Sequence, residues 1–323
     1  MIRSNILLSF FMFSVSACLA QNTFSYQDYH FDRFSVSPAY AGYDGSTKGV
    51  VSYSKDWVGF PGSPQDVCLD IDASLLKNMG LGFTLENEKT GIFQNTSITP
   101  AYAYRLPISK GDLISFGLQA QIYIQTINAS GARMTTTNDQ VVNLNQNASA
   151  FSVIPGFAMV YQHNRLETGL SVANFVMNDL KLNDNVHYDL LRQFQLHVSY
   201  SINLLDGITA EPAVFLVNQD NKSRLYNISG YIDFLNTIWA GISFHDGSNW
   251  GIMLGGRPYE HLVIHYSYQY STSAVFRYSS GSHEITLGYV LEGKKQSGSK
   301  RINNLLHGIH TNRSANNKPE EQR

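Results

Sequence analysis

The chain has 323 residues, a formal net charge of −2 and only 15% charged residues, and these values argue against several classes of protein. A charge so close to zero gives no global electrostatic attraction to nucleic acid. With 19 tyrosines and 18 phenylalanines the chain is rich in aromatic residues, yet its mean hydropathy of −0.18 is too polar for a bundle of membrane helices. A membrane barrel with a wet lumen averages its two faces to such a value.

The first twenty residues have the three-part plan of a secretory signal peptide. Arg3 precedes an apolar stretch over 6–15, and the small residues Ala17 and Ala20 follow. We therefore predict a signal peptide over 1–20. The apolar stretch is shorter than the roughly 20 residues of a transmembrane helix, and no later charge-free apolar run has that length. If the protein lies in a membrane, it must therefore cross that membrane with β-strands.

Cys18 leaves an alternative open at the end of this leader. The sequence Val15-Ser16-Ala17-Cys18 also fits the pattern that precedes a lipid-modified cysteine. Conventional cleavage after Ala20 removes Cys18 and leaves Cys68 as the single cysteine, so we expect no intrachain disulfide.

Strict alternation of apolar and polar residues recurs in segments of about ten residues, as expected for strands with one lipid face and one wet face. It is clearest over 114–125 and 193–204. In the first of these, Leu118 and Ile122 belong to the apolar face, and Gln119 and Gln121 to the polar face. Weaker alternation occurs over 47–55, 65–74, 79–88, 96–107, 152–162, 165–176, 208–217, 224–234, 237–246, 250–257, 261–271 and 282–292.

These segments predict an all-β, up-and-down antiparallel outer-membrane barrel of about 14 strands over 47–292. The number is even, as in bacterial single-chain barrels. A soluble β-sandwich is the alternative for so many strands. In the first half of the chain, long gaps (56–64, 89–95, about 127–151 and 177–190) alternate with short ones (75–78, 108–111, 163–164 and 205–207). This alternation predicts extracellular loops and periplasmic termini.

Two further segments flank the predicted barrel. Residues 21–46 form a periplasmic N-terminal segment that leads into the barrel, with Pro38 and Gly42 turning the chain at its mouth. Residues 293–323 form a flexible, basic periplasmic tail. The tail is either a solvated terminus or a contact for an anionic periplasmic surface or a partner protein.

Candidate catalytic and metal-binding groups are weakly supported. His197, Ser199 and Ser201 share one strand face, as do His265 and Ser267, but residues two apart always share a face, so we interpret them as polar filling of the lumen. The tail pair His307 and His310 has metal-ligand spacing without a third ligand. Asp70, Asp72, Glu86 and Arg105 are interpreted as lumen charges. We expect no enzyme activity, no cofactor, no metal and no nucleic-acid partner.

Three blocks of sequence resemble the PorP/SprF family of type IX secretion system membrane proteins of Bacteroidetes. The first is Ser37-Pro38-Ala39-Tyr40-Ala41-Gly42, and the second is Trp57-Val58-Gly59-Phe60-Pro61-Gly62-Ser63-Pro64. The third runs from Gly80-Leu81-Gly82 through Asn87-Glu88-Lys89-Thr90-Gly91 to Tyr102-Ala103-Tyr104-Arg105. Ser37, Lys55-Asp56 and Glu88 depart from the family's usual residues.

The resemblance implies an outer-membrane barrel that helps a secreted or surface-displayed cargo, such as a gliding adhesin, through the type IX machinery. It brings no catalytic residues. The family motifs supply the candidate partner contacts, namely Pro38, Ala39, Tyr40, Ala41, Gly42, Trp57, Gly59, Phe60, Gly62 and Pro64. For the loop over 57–64, docking of a partner and an aromatic girdle at the membrane interface remain alternatives. The alternative function is a passive channel for small solutes, and a lipid-active enzyme is a third.

Overall fold

The structure is a computed structural model that describes residues 29–128, 148–176, 179–183, 186–220, 223–245, 248–272 and 278–291. The predicted signal peptide, Cys18 and the predicted tail with His307 and His310 lie outside these residues. Among the described residues no helix is long and apolar enough to cross a membrane.

Strands dominate the described chain. Their bounds are β1 Thr47–Lys55, β2 Gln65–Leu76, β3 Met79–Thr90, β4 Phe93–Ser109, β5 Asp112–Ile127, β6 Ala148–His163, β7 Leu166–Ala173, β8 Asp179–Asn183, β9 Val186–Asp189, β10 Gln193–Tyr200, β11 Ile202–Leu205, β12 Ile208–Gln219, β13 Ser223–Phe234, β14 Ile238–His245, β15 Asn249–Gly256, β16 Leu262–Ser271 and β17 Ser282–Leu291.

The main sheet closes on itself. Barrel strands that follow one another in sequence pair antiparallel, and β1 pairs with β17 from Thr47 opposite Leu291 to Lys55 opposite His283. Strands β10 and β11 are interrupted only at Ser201 and both pair with β12, so they act as one barrel strand. The result is a closed, up-and-down barrel of 14 strands, which confirms the predicted fold.

Turn lengths distinguish the two ends of the barrel. At one end, here called the short-turn end, the turns are 77–78, 110–111, 164–165, 206–207, 235–237 and 257–261. The opposite, long-loop end carries 56–64, 91–92, 128–147, 174–192, 220–222, 246–248 and 272–281. The loop predicted over 89–95 is wrong, because β3 and β4 continue to a two-residue turn with Gly91 at φ +60°. The gap predicted over 177–190 contains the hairpin of β8 and β9.

The two faces of the strands are those that the alternation predicts. Leu118 is 54% exposed on the outside of the barrel, and Ile122 and Val198 are also exposed there. Their neighbours Ser115 and His197 are buried inside. A band of exposed apolar side chains around a polar interior is the pattern of a barrel that faces lipid.

The lumen is occupied by the chain itself. Residues 29–46, here called the plug, fold inside the barrel and include two 3-10 turns, Phe34–Val36 and Pro38–Tyr40. The buried apolar core is formed by plug side chains packed against alanines, valines and one phenylalanine of the wall. The plug contributes Tyr29, Phe34, Val36, Ala39, Tyr40, Ala41 and Tyr43, and the wall contributes Ala101, Ala103, Ala158, Val160, Ala213, Phe215 and Val217. The prediction from sequence places this segment at the barrel mouth and misses that it fills the lumen.

Glycines in the wall make room for the plug. A Cβ on Gly80 would lie 1.9 Å from the Ala41 carbonyl oxygen, and one on Gly117 would lie 2.3 Å from the Ala39 nitrogen. A Cβ on Gly82 would lie 2.2 Å from the Phe34 ring. These are close approaches of backbone to backbone or to a ring that a side chain would prevent. The plug and the wall are therefore closely packed at these glycines.

We expect Leu118→Arg to impair assembly more than Gln121→Arg. An arginine on the lipid face near the midplane costs roughly 2–4 kcal/mol, whereas Gln121 faces the interior and bonds to Ser97, where a charge can stay hydrated. The yield of heat-modifiable barrel and the urea midpoint in lipid vesicles measure the difference. Equal values for the two variants would contradict the assignment of the faces.

We expect Gly117→Val to displace the plug. The added side chain overlaps the Ala39 backbone, and overpacking costs about 1–3 kcal/mol, so the population with an unseated plug should rise roughly tenfold or more. A Ser37→Cys reporter in a Cys68→Ser background measures this as the rate of maleimide labelling. Gly49→Val is the control, because a Cβ at Gly49 meets nothing within 4 Å. Similar rates in both variants would mean that Gly117 does not control the seating of the plug.

Candidate functional site

One arginine of the plug bridges two glutamates of the wall. Arg33 Nη1 donates to both carboxylate oxygens of Glu167 at 2.8 and 2.9 Å, and Nη2 donates to both oxygens of Glu211 at 2.8 and 3.0 Å. The glutamates lie on β7 and β12, with β10 between them. Both glutamates are buried, so the guanidinium supplies the charge that their burial requires. Sequence reasoning missed this group because Arg33 is more than 130 residues from either glutamate.

Two plug tyrosines complete the coordination of Glu167. Tyr40 donates to Glu167 Oε1 at 2.6 Å, and Tyr29 lies 3.1 Å from the same oxygen. The Tyr40 hydroxyl also lies 2.6 Å from His197 Nε2, within hydrogen-bond distance. His197, a polar filler in the sequence analysis, therefore holds the plug in place.

The backbone of the first family motif is held by the opposite side of the wall. Asp72 accepts from the Gly42 nitrogen at 2.7 Å, and Arg105 Nη1 donates to the Ala41 carbonyl at 2.9 Å. Ser115 Oγ donates to the Ala39 carbonyl at 2.6 Å. The predicted lumen charges on β2 and β4 therefore have the plug backbone as their partner. Asp70, in contrast, bonds to its neighbours on the wall.

Two clefts run beside the plug, and both are lined by His30, Phe31, Lys48 and Tyr231. One cleft lies toward β13 to β17 and includes Trp239 in its wall. The other extends to Gln162 on β6 and Glu167 on β7. The plug therefore contacts wall strands around the barrel and leaves clefts beside it.

The second family motif forms a tightly bonded loop at the long-loop end. The Val58 nitrogen donates to the Gly281 carbonyl at 2.8 Å, and the Ser280 nitrogen donates to the Val58 carbonyl at 2.7 Å. The Asp56 nitrogen donates a hydrogen bond to the Pro64 carbonyl at 2.9 Å. Trp57, Gly59 and Gly62 have positive φ of 47°, 95° and 75°. Gly59 and Gly62 allow a backbone conformation that residues with a side chain rarely adopt.

The apex of this loop is exposed although its backbone is fixed. The Phe60 side chain is 47% exposed and Gly59 is also exposed, while Ser63 is buried and Trp57 and Pro64 are partly buried. On the neighbouring loop, Tyr278 is 74% exposed, and its carbonyl lies 3.9 Å from the Cβ position of Gly59. Phe60 and Tyr278 are here called the outer aromatic pair.

The ten candidate contact residues therefore do not form one site. Pro38, Ala39, Tyr40 and Ala41 are buried in the plug, toward the short-turn end, where they contact the wall. The loop residues lie at the opposite end of the barrel. Among the described residues no three His, Cys, Asp or Glu are grouped so that they could hold a metal ion.

Comparison with known proteins identifies the family. The family described as "Type IX secretion system membrane protein PorP/SprF" matches residues 18–289. No curated protein is similar enough in sequence to match. Among solved structures, a Pseudomonas aeruginosa FadL homologue is 10% identical, with a TM-score of 0.45 over 77% of this chain and 89% of that one. The Acinetobacter baumannii outer membrane protein Omp33 is 8% identical, with a TM-score of 0.46 over 77% of this chain and 99% of that one. The chain belongs to the PorP/SprF family of type IX secretion system membrane proteins and is an outer-membrane β-barrel.

Proposed function

We propose that this chain supports the secretion or surface display of a partner protein, such as an adhesin, by binding it at the long-loop end of the barrel. Family membership supplies the link to the type IX machinery. The observation that carries the binding role is the outer aromatic pair, because Phe60 is exposed on a loop whose backbone is hydrogen-bonded to its neighbours. Aromatic side chains on a rigid support are typical anchors of protein interfaces.

In this proposal the outer aromatic pair lies on the cell surface. Outer-membrane barrels turn their short connections to the periplasm and their longer loops outward. With this orientation the termini and the short turns are periplasmic, and a displayed partner meets the loops over 56–64 and 278–281. The basic tail over 293–323 is then available to a periplasmic partner.

The passive-channel alternative is less well supported. A porin needs a permanently open lumen, whereas the plug occupies this one and is bonded to the wall by Arg33, Tyr40 and Gly42. We also propose that the chain is not an enzyme. His197 and Ser199 contact plug tyrosines, so they hold the plug rather than an acyl group or a water.

Deleting the gene should remove one or a few large proteins from the cell surface while general type IX secretion continues. The expectation follows from a role in recognising a particular partner. Surface proteomics of the deletion strain, and of the same strain carrying the intact gene, measures it. An unchanged surface proteome would refute the accessory role, and altered uptake of small solutes alone would favour the channel.

Replacing both members of the outer aromatic pair, by Phe60→Ser and Tyr278→Ser, should reduce display of that partner. Interface aromatics contribute about 1–2 kcal/mol or more each, so a roughly tenfold or larger loss is expected with the barrel intact. Tyr259→Ser is the matched control, because Tyr259 is also 74% exposed but lies in the turn over 257–261 at the short-turn end. An equal loss of display in the control, or normal display in the double variant, would show that the partner does not bind at the outer aromatic pair.

A further inference from the structure

We propose that the plug is a displaceable gate, latched by Arg33 on Glu167 and Glu211, and that its departure toward the short-turn end opens a water-filled path through the barrel. The proposal concerns the lumen and does not depend on the recognition role at the long-loop end.

The plug can move without breaking the barrel. Residues 29–46 are contiguous in sequence, and within the described part of the chain they join the sheet at one point, where Ser46 leads into β1. It contributes no strand to the closed sheet, whose ring is completed by β1 and β17. Gly42 lies beside Ala73 near the end of β2, so the connection is at the short-turn end and the path out leads there.

Part of what holds the plug is of a kind that water can replace, because Arg33, Tyr40 and Gly42 are held by carboxylates. Plug aromatics such as Tyr29 and Phe34 also pack in an apolar cluster whose wall members are alanines, valines and Phe215, and their exposure opposes release. If the plug leaves, Glu167 and Glu211 face a lumen that water enters, so both carboxylates become hydrated instead of staying buried without a partner.

The latch is concentrated in one residue. Arg33 makes four hydrogen bonds to two carboxylates, and among the described residues it is the one Lys or Arg side chain that forms an ion pair with either of them. Without Arg33, Glu167 would keep its bonds from Tyr29 and Tyr40, but both buried acids would lose the full positive charge that balances them. Charge repulsion and hydration would then both favour the released plug.

The clefts beside the plug show where the path would begin. One of them has the charged wall residues Lys48, Asp233 and Arg257 among apolar neighbours such as Val50 and Trp239. These charged groups can be hydrated once the neighbouring plug shifts.

Planar bilayers containing the purified full chain in KCl test the gate. The variant Arg33→Gln, in a Cys68→Ser background, should raise the open probability roughly tenfold or more, as expected when one partner of a buried ion pair is lost. Arg33→Lys, which keeps the charge but not the fork of donors, should fall between this variant and the parent. Arg224→Gln, at an exposed arginine on the outside of β13, should behave like the parent.

A reversible lock shows whether conduction requires the plug to move. The Ser37 and Ser171 hydroxyl oxygens lie 3.2 Å apart, so Ser37→Cys with Ser171→Cys can join plug to wall by a disulfide. Placed in the Arg33→Gln chain, the oxidised pair should silence conduction, and a reductant should restore it. Each single-cysteine variant should conduct in both states.

Several results would overturn the gate. Parent-level conduction by an assembled, heat-modifiable Arg33→Gln barrel would show that Arg33 is not a latch. Undiminished conduction by the oxidised pair would show that ions pass without movement of the plug. If Arg33→Gln does not assemble, Glu211→Gln removes one arm of the latch and keeps the other, and a closed channel in that variant would also count against the proposal.

Discussion

Closure of the sheet between β1 and β17 is the constraint on which the other features of this protein depend. In a bilayer every backbone donor and acceptor must be paired within the protein, and a ring of 14 antiparallel strands pairs them without leaving an edge. A ring of this size encloses more space than its inward side chains fill, because alanine and glycine occupy many of those positions. The space is taken by the protein's own N-terminal segment.

Filling a lumen with chain raises a problem that a solvated lumen does not have. Backbone groups of the plug lose water and need partners from a wall whose own backbone is already paired within the sheet. Side chains of the wall therefore supply the bonds, as Asp72, Arg105 and Ser115 do for the first family motif. The polar lumen face, which in a porin meets water, here meets peptide groups. The same alternation of apolar and polar residues in the sequence is therefore compatible with a water-filled lumen and with a lumen filled by chain.

Because open and plugged barrels share this alternating pattern, the sequence predicts the strands and does not predict the plug. Alternation depends on local periodicity, so the strands and their faces follow from it, and most predicted bounds lie within a few residues of the observed ones. The turn at Gly91 was missed because polar residues such as Glu88 and Lys89 continue the strands beyond the apolar band. The plug has no periodicity, and its bonds join residues more than 60 positions apart in most cases. One signal was present, since Gly80, Gly82 and Gly117 occupy inward positions where a wet lumen has no use for glycine.

The order of contacts along the chain constrains how the barrel reaches this state. The plug precedes every strand in sequence, yet Arg33 is held by residues on β7 and β12. Its site on the wall does not exist until β7, β10 and β12 are side by side, and contacts between such distant parts of a chain form late. Strands β1 to β12 must therefore be assembled before Arg33 can bind Glu167 and Glu211 together. A wall that carries Glu167 and Glu211 tolerates this stage only if water reaches both carboxylates, because two unpaired buried charges would oppose closure of the sheet. The polarity of the plug site is thus required during assembly as well as in the finished barrel.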